Sequence, residues 1–166
     1  MNTEYTQPEL EPWSVVADVE DWFRYGLHSA TYGKTVEAKA VFQLCQKMTH
    51  SPYFRGPLGQ VYNDLGQYDR AETEARAFLK AFPRDRLGLH VLGRSLAETG
   101  HLDEAEAVYE ELSAFYPTDE HAWLAYAEVL WRNGRRSVSR EISRKGLRFC
   151  PESRGLHGNV EQESVD

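Results

Sequence analysis

Two octapeptides decide how this chain is read: LGQYDRAE at Leu65–Glu72 and TGHLDEAE at Thr99–Glu106, 34 residues apart. Stepping by 34 links Gly59 to Gly93 to Ala127, Gly66 to Gly100 to Gly134, Ala71 to Ala105 to Ser139, and Pro83 to Pro117 to Pro151. A step of 33 carries Gly26, Gly33 and Ala38 onto Gly59, Gly66 and Ala71, so a slightly shorter copy opens the array. Four columns in register over several copies are the mark of a repeat architecture in which each unit is one supersecondary element.

The chemistry of the columns says which element. Small residues at Gly26, Gly59, Gly93 and Ala127 allow two helices to approach closely, and large residues three or four positions away are expected to fill the remaining space. Gly33, Gly66, Gly100 and Gly134 suit the left-handed end of a first helix. Pro83, Pro117 and Pro151 stop a second helix, because proline removes a backbone donor and cannot continue it. The unit is therefore a helical hairpin, and the octapeptide is its turn. Expected helices are 13–31, 35–47, 53–65, 68–81, 87–99, 102–115, 120–132 and 136–149.

Period and residues resemble the tetratricopeptide repeat, with its W-x2-LG-x2-Y, A-x3-F and P pattern. The matching stretches are Trp22-x2-Tyr25-Gly26 with Ala38-x3-Phe42, Leu58-Gly59-x2-Tyr62 with Ala71, Leu92-Gly93-x2-Leu96 with Ala105-x3-Tyr109, and Trp123-x2-Tyr126-Ala127. The resemblance implies an all-α fold: an α-solenoid of about four hairpins in a right-handed superhelix with a concave groove. The repeats are expected over 19–51, 52–85, 86–119 and 120–153, in one domain spanning 13–153. An acidic arm (1–12) and a polar tail (154–166) flank it, both expected to be mobile.

In that family the first helix of each unit lines the groove. Carried over by register, the peptide-binding residues are Phe23, Leu27, Tyr53, Gln60, Asn63, His90, Arg94, Leu124, Glu128 and Trp131. Apolar and aromatic side chains alternate there with amides and charges, which suits an extended peptide. Trp22, Tyr25, Tyr62, Tyr68, Tyr109, Trp123 and Tyr126 fall in packing columns and are read as core.

Composition limits the alternatives. With a net charge of −7, 41% hydrophobic and 27% charged residues, the chain is expected neither to bind nucleic acid nor to insert in a membrane. The charge is uneven: −6 over 1–21, −2 over 154–166 and about +1 between. The N-terminal stretch MNTEYTQPELEPW lacks the basic and apolar regions of a secretory signal, and a cytoplasmic location is expected. Cys45 and Cys150 have no CxxC spacing and read as packing residues. The six histidines form no i, i+4 pair, and no phosphate-binding or nucleophile motif occurs, so neither a cofactor, a metal nor an enzyme is expected.

The last repeat is unusual. Between Glu120 and Ser153 seven basic residues face four acids, with Arg136 at a usually apolar place and Ser139 at the small one. Two readings stand: an end cap showing water a polar face, or a docking site for an acidic segment such as the N-terminal arm of a second copy.

A narrower resemblance lies in the first half. GKTVEAKAVFQLC (Gly33–Cys45) and FRGPLGQVYNDLGQYDRAE (Phe54–Glu72) are similar to class II chaperones of bacterial type III secretion. That resemblance implies a groove holding a hydrophobic segment of a secreted translocator, with Phe23, Leu27, Tyr53 and Leu124 as apolar pockets and Gln60, Asn63 and Arg94 on the peptide backbone. A generic adaptor assembling a multiprotein complex is the alternative, and a homodimer fits either.

Overall fold

The computed structural model describes residues 19–161. Among them nine α-helices follow one another: α1 (Val19–Thr31), α2 (Thr35–Thr49), α3 (Arg55–Asp64), α4 (Tyr68–Ala81), α5 (Arg86–Glu98), α6 (Leu102–Phe115), α7 (Glu120–Arg132), α8 (Arg136–Leu147) and α9 (Arg154–Glu161). The four hairpins are α1/α2, α3/α4, α5/α6 and α7/α8, and each helix packs on the next in sequence. α3 touches α5, α5 touches α7 and α7 touches α9, so these helices form one inner layer, which α1 joins through Phe23 against Tyr53 and Phe54. This is an α-solenoid.

The turn glycines do what their column requires. Gly66 (φ +69°) and Gly100 (φ +85°) sit in the left-handed region, where a Cβ would clash with the backbone. Behind Gly66 the Gln67 N–H reaches back to the Tyr62 carbonyl at 2.9 Å, and behind Gly100 the His101 N–H reaches the Leu96 carbonyl at the same distance. The chain reverses in three residues, and the second helix follows directly.

Close approach is equally specific. A Cβ on Gly26 would stand 2.6 Å from the Phe42 ring, and one on Gly93 would stand 2.7 Å from the Tyr109 ring. The large residue thus comes from the second helix of the hairpin, 16 positions on, rather than from three or four positions away on the same helix. Ala38, Ala71 and Ala105 are fully buried in their column. Ser139 takes the same place in the last hairpin, where its hydroxyl donates to the Ala127 carbonyl at 2.6 Å; a buried polar group is tolerated because it is paired.

Several described boundaries shift by one or two residues: α2 runs to Thr49 rather than 47, α3 spans Arg55–Asp64 rather than 53–65, and α5 Arg86–Glu98 rather than 87–99. The segment 13–18, expected to begin the first helix, lies outside the described residues, as do the arm at 1–12 and the end of the tail. α3 is preceded by a 3₁₀ turn at Pro52–Phe54, and α8 ends at Leu147, short of 149. Tyr25 and Tyr68 are only half-buried, whereas Trp22, Tyr62, Tyr109, Trp123 and Tyr126 are core.

The largest correction concerns the tail. Residues 154–161 form a helix, and its Leu156 is completely buried. α9 packs on α8 and touches α7, with Gly146 and Trp123 close to Leu156. The basic helix α8 is therefore not the end of the stack. α9 occupies the place of a fifth first helix, and the end-cap reading passes from α8 to it.

A further 34-residue column explains this. Ser51, Asp85, Asp119 and Ser153 share one register, and each caps the helix that follows. Ser51 accepts from the Tyr53 N–H, Asp85 from Gly88, Asp119 from His121 and Ala122, and Ser153 from Leu156. Such caps satisfy backbone donors that the helix leaves free. Leu156→Ala is expected to lower stability by about 2–4 kcal/mol in urea unfolding. A loose tail would lose nothing.

Candidate functional site

The inner layer presents three neighbouring regions. At the α1 end, Phe23 packs against Phe42, Tyr53 and Phe54 with ring centroids 5.9, 5.2 and 5.6 Å apart. Tyr53 also meets Phe82 edge-on at 6.4 Å. Tyr53 and, one turn beyond Phe23, Leu27 stay exposed at 50% and 41%. This end is aromatic, apolar and open to water.

The middle is a cleft of about 620 Å³ whose lining includes Gln60, Leu87, His90, Arg94, His121, Leu124 and Glu128. Its charges are arranged in pairs. Asp64 accepts from Arg94 at 2.9 Å and from Gln60 at 3.0 Å. Across the next repeat Arg132 pairs with Glu98 at 3.1 Å and donates to the Ala97 carbonyl at 2.7 Å. Tyr109 closes the floor; burial, then the nearby Glu128, push its phenol well above the usual range, so it is neutral.

At the floor lies Asp119, buried with a side chain 6% exposed. One carboxylate oxygen caps α7, and the other is 2.8 Å from His90 Nε2 and 3.6 Å from Arg86. Burial alone would raise its pKa. The His90 hydrogen bond and charge, the Ala122 N–H and Arg86 outweigh that and hold the carboxyl below its ordinary value. One side chain thus starts the helix of one repeat and fixes a groove residue of the preceding one.

At the far end a smaller recess of about 270 Å³ is lined by Leu124, Ala127, Glu128, Trp131, Ser139 and Asn159. Trp131, 40% exposed, carries the Arg136 guanidinium 4.7 Å from its ring centre.

Nine of the ten sequence-derived positions face this surface: Phe23, Leu27, Tyr53, Gln60, His90, Arg94, Leu124, Glu128 and Trp131. Three do not serve as expected. Asn63 is 1% exposed and donates to the Val91 carbonyl on α5 at 3.0 Å, so it ties two repeats together and is out of a peptide's reach. Leu124 is half-covered by α9, where Gly155 comes so close that a Cβ would lie 2.7 Å from Leu124 Cδ2. Arg94 is already engaged by Asp64, so it too is not a free donor for a peptide backbone. Asp119 was missed; the 34-residue step from Asp85 is the signal that finds it. Among the described residues no group of three or more His, Cys, Asp or Glu could hold a metal ion, and no helix is long and apolar enough to cross a membrane. Cys45 is buried, and burial pushes its thiol pKa up.

Asp119→Ala removes cap and pair together and is expected to cost about 1–3 kcal/mol at neutral pH, whereas Asp119→Asn keeps a capping side chain and loses less. Because the folded-state pKa is depressed, the charge-dependent part is present above the unfolded carboxyl pKa and is lost as pH falls through the folded value. Urea unfolding of wild type and Asp119→Asn at neutral and acid pH should give a gap that closes in acid.

A family model for the tetratricopeptide repeat matches residues 57–120 and 90–152, more than half of the chain. No curated protein's sequence matches it. Among solved structures, PilF of Pseudomonas aeruginosa is similar with a TM-score of 0.76 at 20% identity, over 87% of this chain and 66% of that one. TTC0263, a thermophilic TPR protein of Thermus thermophilus, gives 0.73 at 17% identity over 87% and 80%. The MamA RS-1 double mutant gives 0.74 at 20% over 86% and 81%. At these identities the likeness is one of fold. With the turn glycines, the hairpin packing and the family match in agreement, the chain belongs to the tetratricopeptide-repeat family.

Proposed function

We propose that this chain is a non-enzymatic protein-binding module of the cytoplasm, acting as an adaptor that takes an extended segment of a partner protein along its inner layer. The observation that supports this best is the change of character along that layer. Phe23, Leu27 and Tyr53 offer an apolar, solvent-open end, and a polar cleft beside it is lined by Gln60, His90 and Glu128. An extended peptide fits such a surface by placing large apolar side chains at one end and polar groups at the other.

The charges refine the ligand. Arg94 and Arg132 are engaged by Asp64 and Glu98, so a carboxylate entering the groove would have to displace an existing partner from each. That weakens the case for a clamp on a C-terminal carboxylate and favours a segment of low net charge. A second, narrower reading is the type III secretion chaperone, holding a hydrophobic translocator segment. The exposed Leu27 and Tyr53 favour it, since shielding apolar side chains from water is what such a role demands.

The test is a pull-down from native cytosol with wild type and a Leu27→Asp/Tyr53→Ala variant, read by mass spectrometry, with circular dichroism as the folding control. The variant is expected to keep its helix content and lose the partner by at least about tenfold. A membrane-inserting protein bound by wild type alone would select the chaperone, and soluble complex subunits would select the adaptor. Equal recovery by both forms would take the groove out of the account.

A further inference from the structure

α2 buries one side in the stack, through Ala38, Val41, Phe42 and Cys45. Its other side carries, beside the exposed Glu37, Gln43 and Lys47, an apolar row that a solvated helix face should lack. Val36, Ala40, Leu44 and Met48 recur every fourth residue and are exposed, Val36 by 66%, Leu44 by 39% and Met48 by 38%. Tyr32, just ahead of the helix, is 74% exposed. Four of the ten large exposed hydrophobic residues among those described thus lie within 17 consecutive positions. Clustering of this kind on a surface marks an interaction site.

The pattern of the stripe says what covers it. Laid antiparallel on a second copy of itself, with Val36 opposite Met48, the helix also sets Ala40 opposite Leu44. The same register puts Glu37 opposite Lys47, since the positions of every facing pair add to 84. Glu37 and Lys47 are both exposed on the border of the stripe. Within its own chain Glu37 has Lys34 only at 3.8 Å and the Tyr25 hydroxyl at 3.4 Å. A single two-fold operation therefore matches large apolar residues with small or flexible ones and places opposite charges together twice. An isologous contact requires that self-complementarity. Rows spaced by four interdigitate at a crossing of about −50°, and Ala40 at the centre lets the two axes come near.

We infer that the exposed face of α2 is a homodimer interface, in which two copies pair antiparallel through Val36, Ala40, Leu44 and Met48, flanked by two Glu37–Lys47 ion pairs between chains. The interface is small, below roughly 1,200 Å² in all, and so concentration-dependent. It uses a second helix of a hairpin, whereas the groove is built on first helices, so a bound partner and a second copy do not compete. The pairing does not rest on the adaptor or chaperone reading.

Sedimentation velocity of the full chain across a micromolar concentration series tests it. Wild type is expected to dimerise. Glu37→Lys, which sets lysine against lysine at both ends, should weaken dimerisation about tenfold, and Glu37→Lys/Lys47→Glu should return it to within about twofold of wild type. Leu44→Asp should abolish it, with helix content unchanged by circular dichroism. A wild type that stays monomeric throughout overturns the inference. So does a dimer to which the single and double charge variants are indifferent, because the register demands their compensation.

Discussion

A helical hairpin buries only part of its apolar surface within itself; the rest is buried against the hairpins before and after it. Everything in this chain follows from keeping that contact constant from one unit to the next. The spacing of 34 residues returns each small residue to the same depth, so that Phe42 covers Gly26 and Tyr109 covers Gly93 with no room for a methyl group. The turn glycines keep the reversal short, and the caps at Ser51, Asp85, Asp119 and Ser153 start each new hairpin at a fixed point. α9 follows from the same rule. It gives the last hairpin something to pack against, with a single buried leucine and its own serine cap.

The same constancy shapes the inner surface. First helices stack side by side, and a side chain near the end of one helix reaches the next repeat. Asn63 holds the Val91 carbonyl, Arg94 holds Asp64, Arg132 holds Glu98, and His90 holds the carboxylate that caps α7. Most of the groove's polarity is therefore spent on joining repeats. What remains open to a partner is concentrated at the Phe23–Tyr53 end, where no hairpin among the described residues lies beyond α1. The aromatic cluster and the apolar outer face of α2 both belong to this first described hairpin.

The fold was legible because its signal is periodic: glycines, alanines and prolines recur in columns that stay in register whatever lies between them. Seven of the eight hairpin helices begin and end within a few residues of expectation, and α1 ends where its turn glycine requires. The N-cap column was harder to see because serine and aspartate share it, though both accept the same backbone hydrogen bond. α9 was missed since Arg154–Glu161 carries two glycines and few apolar residues, and only Leu156 shows which side is buried. On the inner layer, exposure can be anticipated where register alone sets it. At Asn63 and Leu124 it cannot, because their surroundings depend on the following helix. For Asn63 that helix is α5, and for Leu124 it is the unforeseen α9.

The central claim is that partners are bound by the layer of first helices, at its aromatic end. A photo-activated cross-linking residue placed at Tyr53, and in separate variants at Lys80 on α4 and Glu110 on α6, tests this in native cells whatever the partner's identity. Covalent capture of a partner from Tyr53 and none from the two second-helix positions is the predicted result. Capture from Lys80 or Glu110 with Tyr53 silent would contradict it and move the binding surface to the outside of the solenoid.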